Sequence, residues 1–281
     1  MTAEDRYMLG HDTTEWDRLR EQHLVWRRTL VDRLPSYLEK SARLEALGGL
    51  GGARLLEVGC GNGALLQELA ALAGPEGRTL GVEIDPEAAS AAQRAIVDLP
   101  AAEVLEADLM GLELGERFDG VIARWVLSFL RDPLEALRRM ASHLEPGGVL
   151  VIQDYDYDSI RMVPGGPSID RLFAAVPKAY AMNGGDAWLA TRVPGFFAEL
   201  GLEWIATDPH CLAGPPSSPV ARWAERFFQE HIETFVEGGL LTRDERDAAL
   251  EEWRASHEVP GAVFFSPLVV SVVARKPLRV P

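Results

Sequence analysis

The chain has 281 residues, 47% of them hydrophobic, with 43 acidic side chains against 28 basic ones and a formal net charge of −15. That is ample apolar material for a sizeable core, as one domain or as one domain with an elaborated lid. The acidic excess argues against nucleic acid or an anionic membrane as partner, because phosphate binding needs clustered Lys and Arg.

In chain order, Asp12-Thr13-Thr14-Glu15 is a capping signal for a first helix whose stripe is Leu19, His23, Trp26, Leu30 and Leu34. Strands are expected at 54–58, 79–84, 104–106, 120–123 and 149–153, separated by helices over 64–72, 86–97 and 133–143. Such alternation is what a parallel sheet with crossover helices requires. Beyond 153 the pattern loosens. A helix is expected over 169–181 despite Pro177, another over 195–200, and a strand over 203–207. Gly214-Pro215-Pro216-Ser217-Ser218-Pro219 then breaks the chain before an amphipathic helix with Trp223, Phe227, His231 and Phe235 on one side. Thr242-x-x-Glu245 is a capping box for a further helix through Trp253. The apolar run 268–274 suits a last strand inserted into the sheet. The predicted organisation is an N-terminal helical cap over 1–45, a core over 46–213 with a substrate-loop insertion at about 155–200, a helical lid over 214–260, and the last core strand with the C-terminus over 261–281.

Cys60 and Cys211 make neither a zinc spacing nor a disulfide framework. Glu4, Asp5 and Arg6 occur without an apolar run, so no secretory signal is read. The longest uncharged stretch, 259–274, is interrupted by Pro260 and Pro267 and is too short to span a bilayer. A cytoplasmic protein with no metal and no membrane partner is expected; a homodimer is left open.

The strongest chemical signal is Leu55-Leu56-Glu57-Val58-Gly59-Cys60-Gly61-Asn62-Gly63. It reads as a buried strand turning through three alternating glycines into a helix. Glycine permits positive φ and close approach of a ligand to the main chain, and the helix start offers free N–H groups. Two cofactors compete for this turn. Gly59-x-Gly61-x-x-Ala64 with Glu83 downstream satisfies the dinucleotide fingerprint, which makes an NAD(P)-dependent oxidoreductase the alternative. Against it, Glu57 stands two residues before the first glycine, where a carboxylate serves an ammonium and repels a pyrophosphate. A second acid, Asp108, ends the third strand, and Pro146-Gly147-Gly148 introduces the fifth. A ligand with an amino-acid end, a ribose and an adenine but no phosphate fits better: S-adenosylmethionine.

These anchors continue in order through Gly81-Val82-Glu83-Ile84-Asp85-Pro86, Ala107-Asp108-Leu109, Phe118-Asp119-Gly120-Val121-Ile122-Ala123-Arg124, Asp132-Pro133-Leu134-Glu135-Ala136-Leu137 and Leu144-Glu145-Pro146-Gly147-Gly148-Val149-Leu150. Over roughly 50–155 the sequence resembles a class I S-adenosylmethionine-dependent methyltransferase, similar to the bacterial small-molecule group of the ubiquinone and menaquinone methylases. Tyr7-Met8-Leu9-Gly10-His11 and Glu15-Trp16-Asp17-Arg18-Leu19-Arg20-Glu21-Gln22 resemble that group's cap segment more loosely.

The resemblance implies an α/β fold with a doubly wound, mostly parallel seven-stranded sheet (Rossmann-like) and a helical lid. It also implies methyl transfer to the O, N or C atom of a small molecule. Glu57 is then expected at the methionine ammonium, Gly59, Gly61, Asn62 and Gly63 against the cofactor, and Glu83 on the ribose hydroxyls. Ile84 would pack on the adenine, Asp108 would accept from its amino group, and the Leu109 N–H would meet a ring nitrogen. Arg124 and Trp125 follow the fourth strand, where members of the family use main-chain carbonyls to hold the ammonium; the Arg124 side chain could alternatively face the cofactor carboxylate. Tyr7 and Gln22 would close over the cofactor.

A general base is less evident. Asp154, Asp156 and Asp158 alternate after the fifth strand, so an extended chain puts them on one face. Asp154 is the candidate base or amine anchor, with His11 and His210 as further candidates. A calcium loop is rejected because Ser159 and Gly165 occupy the positions of its glycine and last glutamate. Trp125, Phe129, Tyr155, Trp188, Trp223, Phe227 and Phe228 are candidate walls of an apolar pocket for an aromatic, prenyl or polyketide acceptor. A cofactor-binding regulatory protein without turnover is a third reading.

Overall fold

The computed structural model describes residues 13–278. Helix α1 (Thr13–Leu30) is followed by the short α2 (Leu34–Leu38) and α3 (Ala42–Leu47), then β1 (Arg54–Val58), α4 (Ala64–Ala73), β2 (Arg78–Glu83), α5 (Pro86–Ala95), β3 (Ala102–Glu106) and β4 (Phe118–Arg124). Next come α6 (Pro133–Ser142), β5 (Leu144–Asp156), β6 (Arg161–Val163), α7 (Pro167–Met182), α8 (Leu189–Glu199), β7 (Glu203–His210) and β8 (Ala213–Gly214). The chain continues through α9 (Pro219–Glu237), α10 (Arg243–Ser256), β9 (Val263–Phe265) and β10 (Leu268–Arg275).

Seven strands form the main sheet in the order β3-β2-β1-β4-β5-β10-β7. All neighbours are parallel except β10, which runs antiparallel to both β5 and β7. The expected doubly wound sheet is therefore present. Its central strands are apolar on both sides because helices cover both faces. Leu55, Ile122, Val149 and Val151 pack with Leu30, Leu34, Leu38, Leu65 and Leu69 from α1, α2 and α4. The alternate residues Leu56, Val121, Leu150 and Ile152 pack on the other side with Leu137 and Met140 of α6 and Val193 and Phe197 of α8. Period-two alternation divides one strand between two cores. A third core, rich in aromatics, lies beyond the end of β5, where α7, α9 and α10 gather Tyr155, Tyr157, Phe173, Tyr180, Phe228, Trp253 and Phe264. A small sheet, β6-β9-β8, borders it.

Three elements depart most from expectation. β5 runs 13 residues instead of the five expected over 149–153. Its start is held by pairing with the chain after β10, where Gly147 N–H donates to Lys276 O and Lys276 N–H to Gly148 O, both at 2.8 Å. Its end is held by β10, whose Leu268 pairs with Asp156. Helix α8 begins at Leu189, six residues before the expected 195, because Leu189, Ala190 and Val193 bury against the sheet. Packing overrides the low helix propensity of Pro194 and Gly195. The first helix stops at Leu30, so Leu34 belongs to α2. Among the described residues no helix is long and apolar enough to cross a membrane, and no cluster of His, Cys, Asp and Glu is arranged to hold a metal.

Candidate active site

The site is framed by the carboxyl ends of β1, β2, β3 and β4, with His23 of α1 beside the end of β4. After β1 the chain turns through Gly59, Gly61 and Gly63 at φ of +68°, +54° and +79°, the left-handed region that disfavours other residues. The three glycines do different work. A Cβ on Gly59 would meet Val126 Cγ2 at 2.5 Å, and one on Gly63 would stand 3.0 Å from Ala92 Cα. These two let the protein close upon itself. A Cβ on Gly61 would meet Leu19 Cδ1 of α1 at 4.0 Å and nothing nearer among the described residues. Gly61 is thus the glycine that leaves backbone open to a ligand.

Glu83 closes β2 and is 9% exposed. Its Oε2 accepts the Gly61 N–H at 2.8 Å, while Oε1 accepts those of Ile84 at 2.8 Å and Asp85 at 3.0 Å. Burial raises its pKa and these three N–H groups hold it down. Beside it Ile84 is an exposed apolar side chain. Asp108 caps the single helical turn Leu109–Gly111 by accepting the Met110 N–H at 2.9 Å, and Leu109 is buried. Asn62 accepts the Ala64 N–H at 3.3 Å and borders a surface cavity of about 270 Å³ with Asp17, Arg20, Gln67 and Arg94.

The charged heart of the site joins β1 and β4. Glu57 is 3% exposed, and its Oε2 is buried with no hydrogen-bond partner among the described residues. Burial pushes its pKa up to about 8, against the attraction of Arg124. Arg124 Nη1 is buried and lacks a partner in the same sense, while its Nη2 lies 2.9 Å from His23 Nδ1 on α1. The guanidinium carbon stands 4.6 Å from the Trp125 ring centroid. Burial lowers the Arg124 pKa to about 10, so the group stays cationic at neutral pH. His23 Nε2 faces Glu68 Oε1 at 3.7 Å, and Arg27 grips Glu68 through two hydrogen bonds of 2.6 and 2.9 Å. Burial first, and Arg124 second, hold the His23 pKa down to about 4.

Trp125 is the non-glycine residue with positive φ, +55°, among the described residues. It stacks on Tyr155 at 5.7 Å and 11°. From there an aromatic ladder continues through Tyr157, Tyr180 and Phe129 at centroid separations of 5.4, 5.8 and 5.0 Å. Of the other aromatics expected to line one pocket, Trp223, Phe227 and Phe228 share a core with Tyr155, and Trp188 lies apart. Trp223 packs on Trp26, Phe227 and Phe228 lie in the α9 and α10 core, and Trp188 is 41% exposed on a groove of about 590 Å³ with Arg131 and Arg192.

Several expected site residues are not brought to this centre. Gln22 is buried, but its side-chain oxygen accepts from Arg18 and from Trp223 Nε1, each at 3.0 Å, so it joins α1 to α9. Asp154 is wholly buried; its Oδ2 accepts the Ser128 N–H at 3.0 Å and its Oδ1 the Tyr155 N–H at 2.9 Å. Burial pushes its pKa up to about 6. It fastens the turn after β4, with both carboxylate oxygens engaged by backbone N–H groups. The alternation with Asp158 is broken because the chain coils through Tyr157–Ser159, where Asp158 accepts from Trp188 Nε1 at 2.7 Å. His210 ends the edge strand β7, four strands from β1, roughly 19 Å at the usual strand spacing; it is remote from Glu57. Tyr7 and His11 lie outside the described residues. Sequence reading missed His23 and Glu68 as parts of the site. The available signal was a histidine inside an otherwise apolar helical stripe.

Residues 19–208 match the family model described as a methyltransferase domain. The chain belongs to this methyltransferase family. An uncharacterized 37.1 kDa protein from a Streptomyces fradiae transposon is 34% identical over 252 residues, covering 87% of this chain and 68% of that protein. A trans-aconitate 2-methyltransferase of Methylobacterium nodulans is 29% identical over 214 residues, covering 71% and 78%. A Haemonchus contortus phosphoethanolamine N-methyltransferase, solved in complex with S-adenosylmethionine, superposes with a TM-score of 0.50 at 16% identity, covering 86% of this chain and 51% of that one. Membership makes the protein a methyltransferase. The dinucleotide alternative falls with this membership.

Proposed function

We propose that this methyltransferase seats S-adenosylmethionine in the 59–63 turn and methylates a flat, apolar acceptor beside Trp125. The observation that carries the reading is the pair of buried, unpartnered atoms Glu57 Oε2 and Arg124 Nη1. A buried polar atom left without a partner costs on the order of 1–3 kcal/mol, and a methionine zwitterion offers an ammonium to one and a carboxylate to the other. Glu83 accepts from the ribose hydroxyls, since each carboxylate oxygen keeps acceptor capacity beyond its backbone partners. Ile84 packs on the adenine, Asp108 accepts from its amino group and the Leu109 N–H meets a ring nitrogen.

The bound cofactor supplies a methyl group activated by the adjoining sulfonium. The chain contributes position and dryness. Holding the acceptor in line is worth several kcal/mol without any acid or base, which suits a site where Asp154 is sealed by Ser128 and Tyr155. The ladder of Trp125, Tyr155, Tyr157, Tyr180 and Phe129 favours a flat acceptor through stacking. The N-terminal cap and the helices within 214–260 act as a lid that excludes water; α9 packs against α1 through Arg18, whose Nε stands 3.2 Å from Glu230 Oε2.

Calorimetry with S-adenosylhomocysteine and with NAD tests the cofactor half. Binding of the first and indifference to the second is expected; the reverse overturns the reading. Transfer of label from methyl-labelled cofactor into a fractionated metabolite extract tests the acceptor half, with label expected in an aromatic or other flat apolar product.

A further inference from the structure

Arg124 is oriented by two contacts at once. Its plane rests on Trp125, and its Nη2 points at His23 Nδ1 at 2.9 Å. A guanidinium has donors only, so the ring nitrogen facing it must offer a lone pair. The His23 proton therefore sits on Nε2, on the side of Glu68 at 3.7 Å. Glu68 in turn is held by both prongs of Arg27. Arg27 and His23 come from α1, Glu68 from α4, which begins at the glycine turn, and Arg124 from the end of β4. The chain of contacts thus ties α1 to two of the elements that frame the site, and leaves Nη1 as a buried arginine atom with no partner among the described residues.

We infer that His23 is a positioning residue for cofactor binding: its Nδ1 fixes the Arg124 guanidinium so that Nη1 is presented to the carboxylate of the cofactor's amino-acid end. This rests on the assignment of Arg124 to that carboxylate. His23 never touches the cofactor; it removes the rotamer freedom that a long arginine would otherwise lose on binding. The relay makes the neutral Nε2–H tautomer the binding-competent state, with Arg124, Glu68 and Arg27 as the charged groups around the ring.

The test compares two ligands that differ only at the relevant end. S-adenosylhomocysteine carries the amino-acid group; 5′-methylthioadenosine keeps adenine, ribose and sulfur and lacks it. Dissociation constants are measured by calorimetry for the unmodified protein and for His23→Leu, His23→Asn, His23→Gln and Arg124→Leu, with thermal denaturation reporting folding. His23→Leu is expected to lose about tenfold for S-adenosylhomocysteine and less than about twofold for methylthioadenosine. His23→Asn, whose Oδ1 takes the place of Nδ1, restores most of the loss, whereas His23→Gln, whose amide reaches the Nε2 position, does not. Should the leucine variant fail to fold, the contrast between Asn and Gln decides. Equal losses for both ligands would show that His23 only packs, and unchanged affinity for both would show that Arg124 needs no support. Either overturns the inference while leaving the cofactor site standing. Unchanged S-adenosylhomocysteine affinity in Arg124→Leu overturns the carboxylate assignment, and the inference with it.

Discussion

Glu83 Oε2 accepts the Gly61 N–H at 2.8 Å, so the acid ending β2 and the open glycine after β1 behave as one unit. Glu83→Ala is expected to weaken S-adenosylhomocysteine binding by about 1–3 kcal/mol, through the loss of a charged acceptor and a looser turn. Glu83→Gln, which keeps one acceptor oxygen, should lie between. Calorimetric titration of the three proteins checks the order.

Glu57 makes cofactor affinity depend on pH. Its carboxyl titrates at about 8 in the free protein, and an ammonium beside it favours the ionised form, so binding releases a proton. Affinity should fall by up to about tenfold per pH unit on going from pH 8 to pH 6, and Glu57→Gln should bind weakly with a flat profile. Folding responds with the opposite sense. Between the ordinary value of 4.5 and about 8, the folded state holds a proton that the unfolded state has released, so this residue lowers stability as pH rises through that window. Titrations in buffers of different ionisation enthalpy and melting curves at pH 5 and pH 8 read both effects.

Asp154 is expected to matter for folding and not as a proton acceptor. Asp154→Ala strands the N–H groups of Ser128 and Tyr155 and should cost about 1–3 kcal/mol of stability, with Asp154→Asn costing less. The asparagine variant should retain turnover per folded molecule and the acid limb of its pH–rate profile. A loss of about a thousandfold at unchanged stability would instead identify a base.

The glycines should separate by phenotype. Gly59→Ala drives a methyl into Val126 and adds the αL penalty of about 1–2 kcal/mol; its main effect is a lower melting temperature, partly restored by Val126→Ala. Gly61→Ala carries the same backbone penalty without the clash, and its main effect should be weaker cofactor binding. Paired melting and binding measurements distinguish the two.

Much of the fold was legible because burial on both faces writes itself as runs such as Val149-Leu150-Val151-Ile152, and because turns need particular residues, as at Gly59, Gly61 and Gly63. Order along the chain made the methyltransferase likeness readable. What could not be read is set by partners distant in sequence. β5 gains its extra length from β10, more than a hundred residues later. In sequence Asp154 reads as a free acid and Gln22 as a ligand contact; in the fold the Ser128 N–H faces the first and Trp223 reaches the second from α9. His23 seemed one more member of a helical stripe; only the tertiary approach of Arg124 and Glu68 gives it polar work.

The placement of β10 bears on how the molecule is made. This strand lies between β5 and β7, yet it follows both in the chain. On the ribosome, β7 has no neighbour to zip against, and one edge of β5 remains bare, until Leu268 and its successors emerge. A chain cut before that point presents two unpaired strand edges, each an invitation to self-association. The enzyme's sheet is sewn shut by its final stitch.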